Sequence, residues 1–106
     1  MELNVRGLHN LPVPPALAER VRHRLDLSVG RFSSRIRSVD VRLEDVNGPR
    51  GGVDKRCTIS VTLRRGAQLR AHADTETVGA AVDQAAHRLA RQLTRRFDRQ
   101  AAAHVA

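Results

Sequence analysis

The chain has 106 residues, enough for one domain with a hydrophobic core and too few for two. Apolar residues make up 41% of it, which argues against wholesale disorder, and 19 basic against 11 acidic residues leave a formal net charge of +8. This excess favours a polyanionic partner, either nucleic acid or an anionic membrane surface. The only aromatic residues are Phe32 and Phe97, which disfavours a protein that reads single strands by stacking bases on aromatic side chains.

The cellular compartment follows from what the sequence lacks. The first 15 residues do not show the basic-then-apolar pattern of a secretory signal, and no apolar run approaches the length of a membrane span. Cys57 is the only cysteine, so no disulfide within the chain points to an oxidising compartment. We therefore expect a cytoplasmic protein that does not bind membranes.

The first third of the chain predicts a strand followed by a helix. Leu3 and Val5 alternate with polar residues, which is the two-residue period of a strand with one buried face. Pro14 and Pro15 suit the start of a helix, where a missing N–H group costs nothing. This helix should end at about Val29 and bury three apolar residues at helical spacing. They are Leu17, Val21 and Leu25.

The centre of the chain predicts three further strands. Apolar residues alternate with polar ones over residues 38–44, 56–63 and 69–73. A polar, glycine-rich loop over residues 45–54 separates the first two of these strands, and a tight turn over residues 64–67 joins the last two. Each strand would have one apolar face and one polar face.

The segment from Val78 to Arg99 predicts one long helix with two different faces. Its apolar residues recur every three or four positions; they are Val78, Val82, Ala85, Leu89, Leu93 and Phe97. Four arginines recur with the same spacing, about 120° round the helix; they are Arg88, Arg91, Arg95 and Arg99. The helix has too few acidic residues to pair with this row, which favours a phosphate-bearing partner.

The element order β-α-β-β-β-α predicts an α+β domain over residues 1–100, with a frayed tail over residues 101–106. The first two strands should be parallel and the rest antiparallel, with both helices packed on one face of a four-stranded mixed sheet. The first helix has a basic flank of its own, formed by Arg20, Arg24 and Arg31. If the two basic flanks face each other, they form one arginine-lined groove.

The central loop contributes a further group of cations. Its glycines between Asn47 and Gly52 could present backbone N–H groups to a phosphate, although a plain connection explains the same residues. The loop lacks the spacing of a Walker motif. Its flanking cations form a candidate basic rim, opposed by nearby aspartates. They are Arg50, Lys55 and Arg56.

No pattern of side chains points to catalysis. The five histidines show no metal-ligand spacing, and no nucleophile is spaced to pair with a base. Cys57 falls on the apolar side of its strand and is expected to be a buried structural thiol. The sequence therefore predicts no enzyme, no metal, no cofactor and no small-molecule substrate.

The order of elements and the last helix resemble a known family. Ala80-Ala81-Val82-Asp83, followed by Arg88-Leu89-Ala90-Arg91-Gln92-Leu93, is similar to the last helix of the ribosome hibernation-promoting factor and ribosome-associated inhibitor A family, also called sigma-54 modulation proteins. The resemblance covers about residues 2–99 and corresponds to the family's short, single-domain form. It departs from the family at Gly79, where an aromatic residue is common.

The resemblance implies a translation inhibitor that acts when growth slows. Such a protein would bind the small ribosomal subunit in the channel used by mRNA and tRNA. Basic side chains on the two helices carry the rRNA contact in the family, and they match Arg88, Arg91 and Arg95 here, with Arg20 and Arg24 on the first helix. We expect the free protein to be a monomer.

Two alternatives stay open. The first is a general binder of double-stranded RNA or DNA, because double-stranded-RNA-binding domains also place two helices on one side of a sheet. The second is a homo-oligomeric regulatory domain that pairs through its open sheet face. That face is polar, which is unpromising for a large interface; it carries Thr58, Ser60, Thr62, Arg70 and His72.

Overall fold

The computed structural model describes the backbone of residues 1–9, 11–46 and 54–105, and the side chains of those residues up to number 99. The elements follow the predicted order, with one short 3₁₀ helix in addition. The strands are β1 (Glu2–Leu8), β2 (Ile36–Asp45), β3 (Lys55–Leu63) and β4 (Gln68–Thr75). The helices are α1 (Pro15–Val29), the 3₁₀ helix (Gly30–Arg35) and α2 (Val78–Val105).

The four strands form one mixed sheet in the order β1-β2-β3-β4. β1 and β2 are parallel, with Val5 opposite Val41, and α1 provides the crossover between them. β2 pairs antiparallel with β3, and β3 pairs antiparallel with β4. The predicted α+β class and strand pairing are confirmed.

The core lies between the sheet and the two helices. Alternate residues of the strands are buried, including Val39, Val41, Ile59 and Val61, each fully shielded from solvent. The apolar row of α2 is confirmed as the face that packs on the sheet. Its members Val82, Ala85, Leu89 and Leu93 are buried, and Val78 and Phe97 are half-buried. Burial of one large aliphatic side chain stabilises the fold by about 1.5–3 kcal/mol.

α2 begins with a side-chain cap and is longer than its amphipathic segment. Thr77 Oγ1 accepts a hydrogen bond of 3.2 Å from the Ala80 backbone N–H, which satisfies one of the free donors of the first turn. The helix continues to Val105, past the predicted segment that ends at Arg99. The fraying predicted for residues 101–106 stays a prediction.

The 3₁₀ helix was not predicted, because its six residues have no helical apolar period. It turns the chain from α1 into β2 and carries Phe32 against Phe97 of α2, with the ring centroids 5.3 Å apart. The two aromatic residues of the chain thus pack on each other at one end of the domain.

Gly7 lies at a close approach between β1 and the segment that follows it. A Cβ atom there would overlap the carbonyl oxygen of Leu11, whereas Gly30 has open space around it and right-handed helical backbone angles. We expect Gly7→Ala to lower the free energy of unfolding by about 1–3 kcal/mol. The matched control Gly30→Ala should leave it unchanged or raise it by up to about 1 kcal/mol. Urea denaturation compares the two, and equal stability would contradict the close approach.

Candidate nucleic-acid interface

Two arginines of the first basic flank contact α2 directly. Arg24 Nε lies 2.9 Å from Asp83 Oδ1, an ion pair between half-exposed side chains. Arg31, which belongs to the 3₁₀ helix, donates a 2.6 Å hydrogen bond from Nη2 to Thr94 Oγ1. Asp83 balances the charge of Arg24, whereas the neutral hydroxyl leaves that of Arg31 uncompensated.

Arg20 lies beside the start of α2. Its Nη2 atom would be 3.9 Å from a Cβ atom at Gly79, so the guanidinium occupies the space next to this glycine. Gly79 is the position where the resembled family commonly has an aromatic residue. A Cβ atom at residue 79 would make an ordinary van der Waals contact with this guanidinium.

The arginine row of α2 begins on the opposite flank of the helix. Arg88 Nη1 donates a 2.6 Å hydrogen bond to the backbone oxygen of His72, and Gln92 Nε2 donates one of 3.0 Å to the backbone oxygen of Arg70. Both acceptors lie on β4, the edge strand of the sheet. The flank of α2 that contacts α1 is about 120–140° further round the helix.

Arg88 therefore does not face the first flank, and the single groove lined by both arginine rows stays a prediction. The first flank faces α2, while the α2 row turns outward and toward β4. The cause is the apolar row: once Leu89 and Leu93 are buried against the sheet, the rotation of α2 about its axis is fixed. The α2 row, with Arg91 and Arg95, lies on the exposed outer face of α2, and the first flank contacts the side of α2 that faces α1.

The outer part of the α2 row carries uncompensated charge. Arg91, Arg95 and Arg99 are exposed, and within residues 1–9, 11–46 and 54–99 they have no ion-pair or hydrogen-bond partner. Arg88 also keeps its charge, because its partner is a carbonyl oxygen. Four guanidinium groups on a rigid helix match the negatively charged oxygens of a phosphate backbone.

The described cations of the candidate rim are paired with acids. Lys55 Nζ lies 3.2 Å from Asp45 Oδ2 and 3.1 Å from Asp54 Oδ2. Arg56 donates two hydrogen bonds to Asp74, of 2.7 and 3.0 Å. The bond to Asp54 raises the pKa of Lys55, and the bond between Arg56 and Asp74 raises the pKa of Arg56 and lowers that of Asp74. These pairs neutralise the cations locally.

Arg50 and the rest of the loop over residues 47–53 lie outside the described residues. The phosphate-binding role of the loop stays a prediction, as does its role as a plain connection. Of the three cations of the rim, the structure describes Lys55 and Arg56, which begin β3.

Sequence reasoning missed a third group of arginines, at the end of the domain that holds the two phenylalanines. Arg37 Nη2 lies 3.4 Å from the backbone oxygen of Arg64, and the Arg64 N–H donates to the backbone oxygen of Arg35 at 3.0 Å. Arg65 follows in the same exposed turn. The sequence predicts only a turn at Arg64 and Arg65. No sequence pattern near these residues predicts their contact with the 3₁₀ helix.

The sheet face away from the helices is polar and largely balanced in charge. Arg56 is paired with Asp74, and Arg70 Nε donates a 3.3 Å hydrogen bond to Ser60 Oγ. A shallow depression of about 290 Å³ lies on this face. It is lined by Arg42, Glu44, Arg56, Thr58, Arg70 and His72.

Cys57 is fully buried, and its burial raises the pKa of the thiol to about 12. The thiolate is the reactive form of cysteine, so this side chain is inert near neutral pH. The predicted buried structural thiol is confirmed.

Across the described parts of the chain, no three histidine, cysteine or acidic side chains come together as metal ligands. Among the helices described, none combines the length and apolar character needed to cross a membrane.

Comparisons with known proteins agree with this fold. A ribosomal subunit interface protein from Coxiella burnetii superposes with a TM-score of 0.75 and 22% identity, over 92% of this chain and 99% of that one. The N-terminal domain of Protein Y from Thermus thermophilus superposes with a TM-score of 0.67 and 26% identity, over 89% of this chain and 93% of that one. No curated protein matches the chain at a significant level.

The family assignment rests on a match over nearly the whole chain. The model of the family described as sigma 54 modulation protein / S30EA ribosomal protein matches residues 3–101, which include all of the four strands except Glu2 and most of α2. This is the family that the last helix and the order of elements resemble. The chain belongs to the sigma 54 modulation protein / S30EA ribosomal protein family.

Proposed function

We propose that this protein binds the rRNA of the small ribosomal subunit through the basic surfaces of its two helices and blocks the channel used by mRNA and tRNA. Its family makes it a ribosome-associated modulation factor. The named relatives, a ribosomal subunit interface protein and Protein Y, support the same partner. The small subunit, the rRNA contact and the block of the channel are the finer steps that we add.

The observation that carries the proposal is the uncompensated row on α2. Its exposed members Arg91, Arg95 and Arg99 have no acidic partner among the described residues, although the same protein pairs Lys55 and Arg56 closely with aspartates. In the free protein the unpaired cations of this row repel one another, so the row does not stabilise the fold. Phosphates of a folded RNA would compensate it.

The mechanism that we propose is steric and electrostatic. The positive potential steers the protein to the ribosome, and guanidinium groups then bind phosphate oxygens. Arg20 and Arg31 extend the contact from the α2 row across the helical layer, while Arg24 stays paired with Asp83 until a phosphate competes for it. A rigid domain held in the channel excludes mRNA and tRNA without any chemical step, and we propose that it acts as a cytoplasmic monomer.

Cosedimentation with purified small subunits at increasing salt tests this proposal. Neutralisation of about six phosphates predicts a slope of about −4 to −5 in the plot of log affinity against log salt concentration. Binding that is absent, or that does not respond to salt, would refute it. Competition with a plain RNA duplex tests the alternative of a general duplex binder: equal displacement by duplex and by subunits would favour that alternative.

A further inference from the structure

We infer that the end of the domain at the 3₁₀ helix is a second RNA-phosphate site, distinct from the arginine row of α2. We call it the arginine end and define it as Arg31, Arg35, Arg37, Arg64 and Arg65. That the phosphates bound at the arginine end belong to RNA rests on the proposed function. Its existence as an anion-binding surface rests on the geometry of these five residues.

Two segments that are distant in sequence bring the arginine end together. The 3₁₀ helix supplies Arg31 and Arg35, the first residues of β2 supply Arg37, and the turn between β3 and β4 supplies Arg64 and Arg65. The backbone bond between Arg64 and Arg35 and the contact of Arg37 with Arg64 join the turn to the other two elements. All five side chains are on exposed residues.

Three of these arginines have neutral partners. Arg31 donates to a threonine hydroxyl, Arg37 contacts a backbone oxygen, and Arg35 lies over an aromatic ring. These contacts position the three guanidinium groups and leave their charge uncancelled. At the opposite end of the sheet Lys55 and Arg56 are held by carboxylates, which cancel theirs.

Two of the cations are fixed by stacking. The guanidinium carbon Cζ of Arg31 lies 4.5 Å from the centre of the Phe32 ring, and that of Arg35 lies 4.4 Å from the centre of the Phe97 ring. Because Phe32 and Phe97 pack on each other, the four side chains form one connected stack. Stacking orders the guanidinium groups before binding, which reduces the entropy lost when a ligand is bound.

The arginine end and the neighbouring part of α2 contain almost no negative charge. Residues 30–38, 63–69 and 91–99 contain nine arginines, five of the arginine end and four of α2, and one acidic residue, Asp98. One of the nine, Arg96, has a buried Nε with no hydrogen-bond partner in the described structure. The region therefore carries a concentration of charge that the folded chain does not balance.

A phosphodiester backbone fits this surface better than a membrane does. Guanidinium groups bind phosphate oxygens in pairs, and the open face of a stacked guanidinium can also accept an unpaired base. Binding to an anionic membrane surface generally adds the insertion of large apolar side chains. The exposed large apolar residues of the described chain are Met1, Leu27 and Val46, and none belongs to the arginine end.

The test compares two double variants that remove the same charge. Arg35→Gln with Arg64→Gln removes two cations of the arginine end, and Arg6→Gln with Arg42→Gln removes two from the outer face of the sheet. For small subunits, we expect the first variant to make the salt slope shallower by about 1.4–1.8 and to weaken binding at least tenfold. The second variant should keep the wild-type slope. Equal effects of the two variants would overturn the inference.

A second arm does not depend on the ribosome. The NMR signals of the arginine side chains are followed while short oligouridylate is added, and separately while anionic phospholipid vesicles are added. We expect RNA to shift the side-chain signals of Arg31, Arg35 and Arg64. Shifts confined to Arg91 and Arg95, or a response to vesicles alone, would overturn the inference. If wild-type protein does not bind subunits while RNA shifts these signals, the proposed function is refuted and the inference about the arginine end is supported.

Discussion

Replacing Arg91 and Arg95 together with glutamate is expected to abolish binding to the small subunit without unfolding the protein. Both residues are exposed on the outer flank of α2 and have no partner among the described residues. Loss of two charge-assisted contacts costs about 3–6 kcal/mol, which is a roughly 150-fold to 25,000-fold loss of affinity. The new carboxylates would add repulsion from the phosphates. Cosedimentation measures the binding, and thermal denaturation measures the fold.

The control for this variant reverses the same number of charges elsewhere. Arg6→Glu with Arg42→Glu also lowers the formal net charge from +8 to +4, but on the sheet face away from the helices. A general loss of positive potential weakens the binding of both variants to the subunit alike. Any difference in binding between them therefore reports the local contact of Arg91 and Arg95. Equal binding by the two would contradict our assignment of the α2 row. Collapse of the Arg91 and Arg95 variant would show that the wrong face was assigned.

Leu89→Asp is expected to unfold the protein. Leu89 is fully buried at the centre of the apolar row of α2, and no basic side chain of the described core could pair with a carboxylate there. The variant loses an apolar contact and buries an unpaired charge, which costs about 4–5 kcal/mol or more. Small domains are stable by only about 5–15 kcal/mol. Circular dichroism at room temperature should show loss of helix, or a melting temperature lowered by tens of degrees.

The matched control for this substitution is Leu27→Asp. Leu27 is 68% exposed on α1, so the same chemical change should alter the free energy of unfolding by less than about 0.5 kcal/mol. If Leu89→Asp were as stable as Leu27→Asp, the buried face of α2 would have been misassigned. The arginine row, which is defined relative to that face, would then be misplaced as well.

Local patterns explain why the fold was predictable. The alternation around Val41 and Ile59 has a period of two, and the row from Val82 to Leu93 has the period of a helix. Each pattern marks which side chains must leave water, and burial in the structure follows it. Cys57 was placed by the same rule. These predictions needed no knowledge of distant contacts.

The arrangement of the charged side chains was not predictable in the same way. The helical period places the α2 row beside the buried row, but only packing on the sheet determines that Arg88 reaches β4 instead of α1. The ion pair of Arg24 with Asp83 spans two helices. The pair of Arg56 with Asp74 spans two strands and depends on their register. Sequence proximity carries no signal for such contacts.

The third group of arginines shows the same limit. Arg35 and Arg64 are far apart in the chain and adjacent in space, because the 3₁₀ helix and the turn between β3 and β4 meet at one end of the sheet. A short 3₁₀ helix has no periodic signal that would reveal it. The composition shows that arginine is in excess, and the fold determines where on the surface the arginines are concentrated.

A cryo-EM map of the protein bound to the small subunit would show whether the helical surfaces contact rRNA. We expect density for the domain in the channel of mRNA and tRNA, with the α2 row, including Arg91 and Arg95, within reach of rRNA phosphates. The outer face of the sheet should make the lesser contact. A domain bound outside the channel, or one held mainly by its sheet face with α2 exposed to solvent, would refute the proposed binding mode.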